Sequence, residues 1–245
     1  MPLALAAVSA VVGVFAARMI VAEADAHRLG LPDRWISPLC ECGATLGPAL
    51  IRCSAPDRHR QRPANAAILG STIVLLAFLP GAVPSLWVLP AYAAFVVGSI
   101  LLTVTDLDTR LIPNRILVRY GGVGAILLAI GGLFAMDLGA LLDAVVGAAA
   151  YFGVMFGLAL LARGALGYGD VKLAALIGLF VGYLGWRHVV TAAISAFVVA
   201  GLVALVLLAT RLAGRKDAIA FGPFMVAGGF IALYLGDAVI AWYVR

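Results

Sequence analysis

Residues 138–186 read LGALLDAVVGAAAYFGVMFGLALLARGALGYGDVKLAALIGLFVGYLGW. Two apolar runs, near 138–162 and 172–186, flank a hinge with three glycines, Tyr168, Asp170 and Lys172. The first run has the roughly 20 apolar residues that a membrane-spanning helix needs. The second is short enough to be tilted or partly re-entrant. An acid beside such runs is costly unless it has a task, so Asp170 is a functional candidate from the outset. Taken alone it also fits a bland task, capping the N-terminus of the following helix.

The rest of the chain has the same character. Of 245 residues, 64% are hydrophobic and only 12% charged, and the mean hydropathy is +1.10. Soluble domains sit near half apolar and a quarter charged. The expected fold is therefore all-α, a polytopic integral membrane helical bundle with about eight transmembrane helices. The spans fall near 2–22, 65–83, 86–105, 116–135, 138–162, 172–186, 188–210 and 220–243; six or seven true spans also fit. Residues 1–64 are expected to hold the first span and a cysteine-containing loop, and 65–245 the remaining core.

The net charge of +5 belongs to topology rather than to nucleic acid. Connections after spans 1, 3, 5 and 7 hold 14 of the 17 Lys and Arg residues. Positive charge stays in the cytoplasm, so those loops are expected there, with both termini outside. MPLALAAVSA lacks a basic start, so span 1 reads as a retained helix rather than a cleaved signal peptide. The polar segment, roughly 23–64, holds Cys40, Cys42 and Cys53. With His59 these could form a zinc site, although structural zinc sites usually carry four ligands in paired spacings. Reduced loop thiols are the simpler reading, and an odd cysteine count argues against disulfides.

Most of the twelve acids have ordinary explanations. Glu23, Asp25, Asp33, Glu41 and Asp57 are assigned to the polar loop, and Asp217 to a basic turn. Asp137, Asp143 and Asp237 suit solvated helix ends or caps. Asp108 suits a solvated partner of Arg110. Asp106 does not fit: it closes the apolar run SILLTVT, at a helix C-terminus where partial negative charge disfavours an acid. Asp106 and Asp170 lie 64 residues apart, each at the same end of a span. A bundle could bring them together. Two adjacent carboxylates cannot both ionise easily and share a proton; one takes a proton from water while the other polarises a carbonyl. Gly167 and Gly169 would let an extended peptide approach closely.

Three ordered motifs resemble the type IV prepilin peptidases, the GxGD membrane aspartic proteases of pilus and type II secretion systems. GDVKLAALIGLFVGYLGW at 169–186 is similar to the GxGD block, DLDTRLIPN at 106–114 to the first aspartate block, and FGPF at 221–224 to the third. Together they cover roughly 86–240. The resemblance implies a catalytic pair, Asp106 and Asp170, with no cofactor needed for proteolysis. It implies supporting places for Gly167, Gly169, Lys172, Pro113, Asn114, Gly222 and Pro223. It further implies prepilin or pseudopilin substrates, cut after a glycine between a short basic leader and one apolar helix, at the cytoplasmic face of the inner membrane.

The N-terminal part departs from the family pattern. Gly13-Val14-Phe15-Ala16-Ala17 lacks the Asn of the family's Gly-Ser-Phe-Leu-Asn run, and the three cysteines do not form two C-x-x-C pairs. Methylation of the new pilin N-terminus by S-adenosylmethionine is therefore in doubt. Two other classes compete. A proton-coupled transporter would place its acids near the bilayer midplane and carry an inverted repeat. A presenilin-like protease would cut within a substrate helix. The edge position of the acids opposes the first, and the long GDVKL match with the Ile-Pro-Asn tail opposes the second.

Overall fold

The computed structural model describes residues 2–29, 63–161, 167–211 and 220–244. The described chain forms eight helices: α1 (Pro2–Leu29), α2 (Pro63–Ala82), α3 (Leu89–Thr109), α4 (Asn114–Phe134), α5 (Leu138–Leu161), α6 (Tyr168–Tyr183), α7 (Trp186–Ala209) and α8 (Gly222–Tyr243). Six of them, α2 to α5, α7 and α8, are long and apolar enough to cross a membrane. The all-helical, multi-pass expectation holds. At 16 residues α6 is shorter, as its apolar run foretold. Cys40, Cys42, Cys53 and His59 lie outside the described residues, as does Asp217. Among the described residues no group of three His, Cys, Asp or Glu converges as a metal site.

Helices joined by short connections become antiparallel neighbours, and small residues let them approach. A methyl placed on Gly178 would lie 2.5 Å from the carbonyl oxygen of Gly147, and one on Gly182 would lie 2.8 Å from that of Asp143. The backbones of α5 and α6 therefore touch. Between helices in lipid this van der Waals contact replaces the hydrophobic drive that water supplies. At the centre, Phe95 of α3 stacks on Phe180 of α6, ring centroids 4.5 Å apart, and meets Phe230 of α8 edge-on at 6.2 Å. Tyr92 donates a buried hydrogen bond of 2.8 Å to the Phe180 carbonyl. These contacts bind together the three helices that carry the motif residues.

Two expectations change. The polar segment was placed from residue 23, but α1 continues to Leu29. Its VAEADAH stretch contains good helix formers, and Glu23 is buried. Glu23 is not a loop acid: Arg119 donates to it at 3.1 Å and Tyr120 at 2.8 Å, from α4. A charge at this depth is tolerated because it is paired. Asp170 does not N-cap α6. That position belongs to Gly167, and Asp170 is the third helical residue. Asp137 does cap, accepting the Ala140 N–H at 3.0 Å.

Candidate active site

Asp106 lies in the last turn of α3, 5% exposed. The helix ends four residues later at Arg110, whose left-handed backbone (φ 55°) returns its N–H to the Asp106 carbonyl at 2.8 Å. The chain then turns through Leu111 to Pro113, the N-cap of α4, whose carbonyl accepts the N–H groups of Ile116 and Leu117 at 3.1 Å each. That tight turn holds Ile112 beside the aspartate.

Asp170 stands in the first turn of α6. The Gly167 backbone N–H donates to its carboxylate, as the third residue of a helix does in half of a capping box. Asp170 precedes the apolar run of α6 and lies outside the membrane-spanning segments. Its pKa is pushed up to about 6, chiefly by burial and then by the charge of Asp106, against the lowering effect of the Gly167 hydrogen bond. Asp106 is thus near enough to act on Asp170, and the bundle brings the two sequence-selected carboxylates together.

The third block completes the enclosure. A methyl on Gly222, the first residue of α8, would lie 2.6 Å from Asp106 Oδ2 and 3.4 Å from Ile112 Cδ1. A methyl on Gly169 would lie 2.9 Å from Ile112 Cβ. Ile112 is therefore the wedge between the starts of α6 and α8, and both glycines are explained by close approach. The Gly222 backbone N–H faces the Asp106 carboxylate. This is one of the donors that a helix start leaves unpaired. Pro223, in the first turn of α8, has no N–H to leave unsatisfied there. The Asp106 Oδ2 atom is buried with no hydrogen-bond partner among the described residues. Buried polar atoms are rarely left so; this one is available to a reactant.

At the exposed rim, Lys172 Nζ donates to Asn114 Oδ1 at 2.9 Å, tying the start of α6 to the start of α4. Asp108 is exposed. Ile112 was not singled out from the sequence, although it precedes the noted Pro-Asn pair. An apolar residue gives no chemical signal, and only the two glycines facing it reveal its place.

The geometry is one of two carboxylates at one end of a helical bundle. Residues 93–209, which include both, match the model of the Type IV leader peptidase family. That match covers 117 of the 245 residues. Among relatives named prepilin leader peptidase/N-methyltransferase, the protein of Aeromonas hydrophila is 31% identical over 58% of this chain and 48% of its own length. That of Aeromonas salmonicida is 31% identical over 71% and 57%, and that of Bacillus subtilis 32% over 66% and 61%. The chain thus spans about half the length of the curated relatives it matches. No solved structure matches it. The matched region runs from within α3 to the end of α7, with α8 and its Gly222-Pro223 start beyond the matched residues.

Proposed function

We propose that this chain is a membrane aspartic endopeptidase that removes the short basic leader from prepilins or pseudopilins. The observation that carries this reading is the buried, unpartnered Asp106 Oδ2 within electrostatic reach of Asp170. One ionised oxygen of the pair takes a proton from water, whose oxygen attacks the peptide carbonyl. The protonated carboxyl donates to the carbonyl oxygen. The tetrahedral adduct then collapses, breaking the C–N bond as the amine leaving group receives a proton from the pair. The proton belongs to the pair rather than to one residue, and the raised pKa of Asp170 keeps it close at hand.

Gly167, Gly169 and Gly222 supply the close approach, while Lys172 and Asn114 steady the rim. Proteolysis on this scheme needs no metal and no cofactor. The distribution of Lys and Arg supports a location in the inner membrane with the aspartates toward the cytoplasm. Methylation by S-adenosylmethionine has no support in the irregular N-terminal motifs. A proton-relay transporter is disfavoured by carboxylates at a bundle end rather than mid-membrane.

The test is the mass of a prepilin N-terminus after co-expression in membranes. Wild-type chain removes the leader; Asp106→Asn and Asp170→Asn, still folded, leave it attached, with rates down at least a thousandfold. A leader retained by wild type with each of a panel of prepilins sinks the peptidase reading. An added methyl mass restores the second activity.

A further inference from the structure

An apolar groove runs along the bundle between α2 and α8, with α1 and α3 lining the end that reaches Asp108 and Pro223. It consists of two adjoining cavities of about 530 and 540 Å³ that share Leu75 and Phe230. Three observations identify what fits it. The first is length. On α2 the lining runs from Asn65 to Ala82, about 26 Å at the rise of a helix. That is close to the thickness of the hydrocarbon core, about 30 Å.

The second is spacing. On α2 the lining includes the series Ile68, Ser71, Leu75, Phe78 and Ala82, and on α8 the series Pro223, Ala227, Phe230 and Tyr234, each along one helix face. Both series advance by alternate steps of three and four, the pattern by which a helix seats a neighbouring helix. Tyr234 donates a 2.7 Å hydrogen bond to the Leu75 carbonyl, closing the floor, while Phe78 is 69% exposed on the rim.

The third is charge and continuity. The aspartate end of the groove carries Asn65, Thr103 and the acid Asp108, whereas the far end is lined by Phe78, Leu235 and their apolar neighbours. Asp108 lies two residues beyond Asp106 and Pro223 directly follows Gly222 in the chain, so a helix lying in the groove brings its end toward the carboxylate pair.

We propose that this groove is the docking site for the transmembrane helix of the substrate, with Asp108 facing the basic leader at its mouth. The inference rests on the peptidase reading above and adds where the substrate is held. Docking sets the ruler for cleavage: the bond presented to the aspartates is the one just beyond the seated helix.

The experiment uses a prepilin that the wild-type chain processes in phosphatidylethanolamine–phosphatidylglycerol vesicles. If no prepilin is processed, the peptidase reading itself has failed. Given processing, a photo-crosslinking benzoylphenylalanine replaces Phe78 or, as a control on the outer face of α7, Leu205, each in an Asp106→Asn background. Capture of the prepilin from position 78 and not from 205 is the expected result. Capture of lipid alone, of a second copy of the chain, or of prepilin equally from both positions overturns the docking site while leaving the peptidase intact. A kinetic measurement guards against misfolding. Ala227→Trp, which fills the groove, lowers kcat/KM for the full prepilin at least tenfold but leaves cleavage of a short leader-junction peptide lacking the helix unchanged. Equal rates with the full prepilin overturn the proposal.

Discussion

At the residue scale the aspartates carry a cost that can be measured apart from activity. The folded-state pKa of Asp170, about 6, exceeds the value near 3.9 of an unfolded Asp. Between those values the folded chain holds a proton that the unfolded chain has lost. Stability therefore falls as pH rises from about 4 to about 6 and levels off above. Asp170→Asn removes that loss and can still accept the Gly167 N–H. Its melting temperature in detergent is expected to exceed wild type by about 2–4 °C above pH 6, with the advantage fading toward pH 4; a constant difference across this range would refute the burial argument. Gly222→Ala tests the opposite wall. A methyl 2.6 Å from Asp106 Oδ2 must displace the carboxylate, so leader removal should drop at least tenfold while thermal stability barely moves. Asp106, Asp170 and the glycines were legible because an acid in an apolar chain, and a glycine beside it, are chemically conspicuous. Ile112 was not, because its importance is purely a matter of shape.

At the element scale, hydropathy was the readable signal and helix ends were not. The apolar runs located eight helices, yet α1 outlasts its apolar run and carries Glu23 into the interior. The reason is non-local: Glu23 is satisfied by Arg119 and Tyr120 from a helix some ninety residues later, which no local window reveals. Glu23→Ala leaves Arg119 and Tyr120 without that carboxylate, and should destabilise the fold by on the order of 3 kcal/mol. Chemical denaturation of Glu23→Ala and Glu23→Gln would check this, the glutamine retaining a Tyr120 acceptor and losing less. The α5–α6 contact yields a sharper comparison. Gly178→Leu inserts a side chain where the Gly147 carbonyl already stands 2.5 Å from a methyl position, whereas a methyl on Gly153 meets nothing within 4 Å. Gly178→Leu should cost about 1–3 kcal/mol or more, and Gly153→Leu almost nothing. Equal effects would mean that α5 and α6 are not in backbone contact.

At the scale of the whole molecule, the site is an assembly of helix ends and not a local motif. Asp106 comes from the end of α3, Asp170 from the start of α6 and Gly222 from the start of α8. What positions them is the stack of Phe95, Phe180 and Phe230 deeper in the bundle. Sequence could name the charged members but not their meeting, since aromatic residues in an apolar chain look alike until packed. This arrangement also has a bearing on how the protein is made. Chains are synthesised from the N-terminus, so α8 leaves the ribosome after both aspartates are already in the membrane. Until it arrives, Asp106 lacks the Gly222 backbone, α3 and α6 lack their third aromatic partner, and the groove lacks its α8 wall. Before α8 is inserted the carboxylate pair is therefore incomplete, and neighbouring membrane proteins are shielded from the proposed activity until that helix is in place.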